Sequence, residues 1–90
     1  MSTQINIPPF LRHLVSDVEV VDVNGSTVGE CLNDLVRQFP QLRTGLFNKN
    51  GKLLKYLDVY VNGKSAYPKE LAKQVNDGDE LHIVNIITGG

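Results

Sequence analysis

Few residues of this 90-residue chain have types and spacing suited to chemistry, and the sharpest candidate is a pair of glycines. The sequence closes on "NIITGG", Asn85 to Gly90. Glycine has no Cβ, so two in succession can thread a narrow channel and adopt any φ. A terminal carboxylate on Gly90 has a reference pKa of about 3.5 and is ionised at neutral pH. Held inside a partner enzyme, it can attack the α-phosphorus of ATP and become an acyl-adenylate. An extended chain from Ile87 to Gly90 reaches about 13 Å at about 3.3 Å per residue. The plain alternative is fraying, since chain ends are often disordered.

The interior offers no rival site. Cys31 falls within an apolar helical stripe, where a cysteine behaves as a small hydrophobe, and no neighbouring cation signals a nucleophile. It is the only cysteine, so no intramolecular disulfide can form. His13 and His82 stand far apart, and neither has metal-ligand spacing to a second ligand on its own element. Asp77 and Asp79 flank Gly78 in a turn and lack the further oxygens of a calcium loop. Neither G-x-x-x-x-G-K-[ST] nor G-x-G-x-x-G is present. The expectation is a protein that is not an enzyme, has no metal site and holds no permanent cofactor. Lysines 49, 52, 55, 64, 69 and 73 read first as solubility charges, and second as a basic rim for an acidic partner.

A net charge of −1, with 41% hydrophobic and 21% charged residues, gives no electrostatic case for nucleic acid or an anionic membrane. The opening "MSTQINIPPF" lacks the basic and apolar regions of a signal peptide. No apolar run approaches the roughly 20 residues of a membrane helix. A soluble cytoplasmic protein is expected.

The elements that must carry the tail can be placed from periodicity. "QINIP" alternates, with Ile5 and Ile7 on one face, and Pro8-Pro9 ends it as a strand. "VEVVDV", Val18 to Val23, alternates less cleanly and reads as an edge strand or one with a bulge. Val28, Cys31, Leu32, Leu35, Val36 and Phe39 then form one helical stripe, opened by a Thr27/Glu30 capping box and stopped by Pro40. Gly29 in the first turn costs about 1 kcal/mol relative to Ala. "QLRTGLF", Gln41 to Phe47, adds an irregular turn that lends Leu42, Leu46 and Phe47 to the core.

Asn50-Gly51 marks a turn. "YLDVYVNG" puts Leu57, Val59 and Val61 on one face and Tyr56, Asp58 and Tyr60 on the other. "KSAY" returns as a short strand, and Pro68 to Val75 holds one helical turn. "NDGDE" is a turn before a last strand, with Leu81 and Ile83 facing one way and His82, Val84 and Ile86 the other. One main helix on one mixed sheet of four to five strands is an α+β two-layer domain. A single helix covers one face, so the opposite face is solvated or bound by a partner. Tyr60, Val84 and Ile86 on that face would form an apolar patch beside the tail.

The order β-β-α-β-β, with "INIPPFLR", "STVGECLNDL", "YVNG", "NDGDE" and a closing "TGG", resembles the ubiquitin-like β-grasp sulfur carriers. These include the small subunit of molybdopterin synthase, the thiamine sulfur carrier and the carrier of a cysteine-forming pathway. "GKLLKYLDVYVNG" also looks like the last of these. The resemblance implies a β-grasp domain over residues 1–86 and a flexible functional tail over 87–90, comprising Ile87, Thr88, Gly89 and Gly90. It implies that a ubiquitin-activating-like adenylyltransferase uses ATP on Gly90, and that a sulfur donor replaces AMP to leave a thiocarboxylate. An acceptor biosynthetic enzyme then takes the sulfur, for cysteine or a related amino acid first, then thiamine thiazole or molybdopterin. By position, Pro8 and Val84 match the family's docking residues. Many relatives have a proline or aromatic residue where Asn85 and Ile86 precede the tail, so the acceptor is left open. Two alternatives stand: a ubiquitin-like modifier conjugated to lysines through Gly90, and a non-catalytic binding module using the outer sheet face.

Overall fold

The computed structural model describes residues 2–86. Met1 and the expected tail, 87–90, lie outside the described residues. Five strands form one sheet in the order β2-β1-β5-β3-β4. They are β1 (Thr3–Asn6), β2 (Val20–Val23), β3 (Leu57–Val61), β4 (Lys64–Ser65) and β5 (Glu80–Asn85). The central pair, β1 and β5, is parallel, and all other pairings are antiparallel. Across the sheet lies the main helix, which we label α2 (Val28–Gln38), after a short α1 (Pro9–Arg12) and before a one-turn α3 (Arg43–Leu46).

Side-chain alternation sets which face is buried. Ile5, Val21, Val23, Leu57, Val59, Val61, Leu81 and Ile83 all point to the helix side and are buried. They meet Val28, Cys31, Leu32, Leu35 and Val36, the stripe of α2. Each fully buried Leu or Val contributes about 1.5–3 kcal/mol relative to exposure. Leu42, Leu46 and Phe47 close one end of this core, as the irregular-turn reading anticipates.

Three readings change. β2 begins at Val20 rather than Val18, and its alternation is clean, with Val21 and Val23 buried and Val20 and Asp22 exposed. It is the sheet's edge, with no bulge in its register to β1. The chain leaves β1 at Asn6, two residues before Pro8, and does not run straight on. It winds through α1 and a 3₁₀ turn, His13–Val15, burying Leu11 and Val15. Pro9 occupies the first turn of α1, where its missing N–H removes no helical bond.

Asp58 also departs from expectation. It alternates to the outer face of β3 yet is buried. Its carboxylate accepts from the Val59 N–H at 2.7 Å and from the Ser65 hydroxyl on β4. A buried carboxylate must be hydrogen-bonded, and these two donors supply that. Tyr56, placed on the same outer face by alternation, instead packs partly against the core.

Local rules explain the ends of the elements. The Thr27 hydroxyl accepts from the Glu30 N–H at 3.1 Å, the first arm of a capping box. The reciprocal arm shifts by one residue, since Glu30 accepts from the Ser26 N–H at 2.8 Å. The β3–β4 hairpin turns on Asn62 and Gly63, at φ 51° and 85°, which fits a type I′ turn.

Candidate functional site

β5 is the last strand before residues 87–90. It is the central strand of the sheet, lying between β1 and β3 and paired to both. The anchoring extends one residue past its end, where the Ile86 N–H donates to the Tyr56 carbonyl at 2.9 Å. The chain beyond this point therefore starts from a fixed base. Thr88, Gly89 and Gly90, the residues expected to do the chemistry, lie outside the described residues.

On the outer face, the register lines up Val20, Asn6, His82, Tyr60 and Ser65 across all five strands. The Asn6 side-chain amide donates to the Leu81 carbonyl at 3.3 Å, tying β1 to β5. Pro8 is extended, at φ −68° and ψ 155°. Continuing the Asn6–His82 register by two residues sets it level with Val84. The structure thus brings Pro8, Tyr60 and Val84 to one face, all three partly exposed. Ile86 has a different neighbourhood. β5 ends at Asn85, and Ile86 lines a cleft with Leu53, Leu54, Lys55, Leu57, Tyr67 and Glu70.

Alternation alone did not reveal that cleft. Leu53 and Leu54 sit in an irregular segment after the Asn50-Gly51 turn, and periodicity gives such residues no face. The adjacent leucines were the available signal.

The remaining candidates take structural places. Cys31 is fully buried, and its thiol is 3.8 Å from the Gly25 carbonyl. Burial, with smaller contributions from the charges of Glu30, Asp34 and Asp79, pushes the thiol up to about 11. It is protonated at neutral pH and poorly suited to attack. Asp79 accepts from the Asn76 N–H at 2.7 Å and the Asn62 amide at 2.9 Å, and these two bonds hold its carboxyl below the usual range. Asp77 accepts from the Ser2 N–H at 2.7 Å. Both aspartates therefore stitch turns together, as turn chemistry anticipates. Among the described residues, no cluster of three or more His, Cys, Asp or Glu side chains could hold a metal.

With this geometry, one comparison decides the family. Residues 5–90 match the ThiS family, a match that takes in the glycine pair. The chain belongs to the ThiS family. It is 28% identical to the sulfur carrier protein CysO of Mycobacterium tuberculosis, over 93 aligned positions covering 100% of both chains. It is 37% identical to small archaeal modifier protein 1 of Haloferax volcanii over 71 positions, 78% of each chain. Among solved structures it superposes on a chain of the Amycolatopsis orientalis BexX/CysO complex with a TM-score of 0.86 and 29% identity, covering 98% of this chain and 99% of that one. The fold is therefore a ubiquitin-like β-grasp, with the mixed sheet of the expected class. These homologues are small carriers and modifiers rather than enzymes, and this ThiS-family chain is likewise not an enzyme. No helix among the described residues is long and apolar enough to cross a membrane.

Proposed function

We propose that this chain is a sulfur carrier loaded at the Gly90 carboxylate. The observation that carries this reading is the match to sulfur carrier proteins along the whole chain, glycine pair included. In the first step a carboxylate oxygen of Gly90 bonds to the α-phosphorus of ATP and pyrophosphate leaves. In the second, a sulfide-equivalent donor adds to the acyl carbon and AMP leaves, giving the thiocarboxylate. ATP is bound by the adenylating partner, and the carrier's own residues contribute position. β5 and the Ile86–Tyr56 hydrogen bond fix the base of the tail, and glycines 89 and 90 keep the reacting end free of side chains.

The acceptor we favour makes cysteine or a related amino acid. Its support is the "GKLLKYLDVYVNG" stretch and the resemblance to CysO proteins. Pro8, Tyr60 and Val84 are the residues we assign to docking, and the solved complex of a CysO chain with BexX supports the idea that such folds dock on partner proteins. Residues 87–90 act as the functional tail of the 1–86 domain. The test is intact mass after incubation with the cognate activating enzyme, ATP and a sulfide source. The mass rises by the difference between sulfur and oxygen, and deletion of Gly89-Gly90 removes the rise without altering the unfolding curve. An unchanged mass with an enzyme proven active overturns the reading.

The likeness to small archaeal modifier protein 1 supports a second reading, conjugation of the same activated carboxylate to lysines of other proteins. Tail remnants on lysines in cell extract establish it. A thiocarboxylate without any such remnants leaves the carrier reading alone.

A further inference from the structure

Three surface hollows run together beside the point where the tail departs. The first, about 340 Å³, lies between Ile86 and the Leu53-Leu54-Lys55 segment. A second, about 360 Å³, shares Leu53 and Glu70 with it and extends to Lys52, Lys69 and Leu71. A third, about 450 Å³, shares Pro68, Lys69 and Ala72 with the second and ends at Lys73. The result is one groove with an apolar floor and four exposed lysines, 52, 55, 69 and 73, on its rim. Leu53, Leu54 and Leu71 form the floor and are themselves packed against the core.

Charge is segregated along the same line. Residues 49–73 hold six lysines against two acids, Asp58, buried beneath Ser65, and Glu70, half-buried where the first two hollows meet. The rest of the chain holds three arginines against eight acids. A net charge of −1 conceals this division. The only ion pair among the described residues joins Arg37 to Asp34, so no rim lysine has a carboxylate within 4.0 Å there.

We propose that this groove receives an acidic extended segment with apolar anchors, belonging to the protein that activates Gly90. The inference rests on the carrier reading. Its geometric basis is proximity. Four residues separate Ile86 from the reacting carboxylate and span about 13 Å at most. Whatever protein holds Gly90 therefore lies beside the groove mouth. The apolar floor takes side chains that a phosphate polymer lacks, and the lysines match carboxylates at the rim. Rim charges act mainly on encounter rate and are weakened by salt.

The test is the loading assay with the cognate activating enzyme, run on wild type and on a Lys52→Glu/Lys55→Glu/Lys69→Glu variant. All three side chains are exposed, so the variant should fold, and thermal unfolding verifies it. The expected result is a rise of about tenfold in the KM for carrier with little change in kcat, narrowing as salt is added. Reversal on the opposite edge, just before β2, Glu19→Lys, is expected to leave KM within about twofold. Wild type loading normally, with the triple variant equal to it at every salt concentration, overturns the groove and leaves the carrier reading standing. No loading of wild type overturns both. A low-salt dimer of the chain alone that vanishes in the triple variant also overturns it, by naming a second copy as the occupant.

Discussion

The two faces of the sheet are built from the same strands and do opposite work. On the helix side, Ile5, Leu57, Val59, Leu81 and Ile83 are covered by α2 and reach 3% exposure or less. On the other side, Pro8, Tyr60 and Val84 stay partly exposed, and Val20 is 42% exposed. The chain covers one face with its own helix and leaves the other partly exposed. Burial is therefore concentrated on the inner face, and the docking proposed above falls on the outer one.

Paired substitutions break or sharpen that contrast. Leu32→Ala empties a fully buried site in α2 and is expected to cost about 2–5 kcal/mol in urea unfolding. Val84→Ser on the outer face is expected to cost about 1 kcal/mol or less, while slowing loading or delivery at Gly90. Equal losses of stability from the two would show that the outer face is structural after all.

Asp58 tests the contrast from within, since it is buried on the outer side. Ser65→Ala removes one of its two hydrogen-bond donors and is expected to cost about 1–3 kcal/mol. A neutral result would mean that water reaches the carboxylate, and that this part of the face is open like the rest.

The ease of reading these regions differed for physical reasons. Strands and α2 declare themselves because burial on one side imposes a period of 2 or 3.6 on residue type. The segments 9–15 and 48–56 impose no such period. Leu11, Val15, Leu53 and Leu54 are apolar there without a repeat to assign them a face. Asp58 misled for another reason: alternation gave its face correctly, but not that Ser65 on the next strand would cover it. Gly29 shows the limit most sharply. From sequence it is a helix defect. In the structure, a Cβ at Gly29 would sit 2.9 Å from the Leu71 carbonyl oxygen. Gly29→Ala should therefore destabilise by about 1 kcal/mol or more, although Ala is the better helix former by about 1 kcal/mol. Of the proposed docking residues, the shared face of Pro8, Tyr60 and Val84 was legible. Ile86 was not, because β5 ends one residue before it.

The smallest expected effect concerns acid. Three carboxyls have lowered pKa values from hydrogen bonds that exist only in the fold. Glu30 accepts from the Ser26 backbone and hydroxyl, Asp34 from Arg37 and the Asn24 N–H, and Asp79 from the Asn76 N–H and the Asn62 amide. A folded pKa below the unfolded value of about 4 means that the unfolded chain binds the proton first as pH falls. The stability these groups contribute is thus complete above about pH 5 and lost as pH drops through the folded values. Urea midpoints are expected to hold between about pH 7 and about pH 5 as far as these groups are concerned, then decline. Asp79→Asn keeps the side chain's shape and a carbonyl acceptor but removes its titration, so its decline should be shallower than that of wild type. All three carboxyls hold turns or helix ends, and none lies on the outer row of Val20, Asn6, His82, Tyr60 and Ser65. Acid should therefore loosen the scaffold through its turns and helix ends, and an Asp79→Asn decline as steep as that of wild type would contradict the share assigned to Asp79.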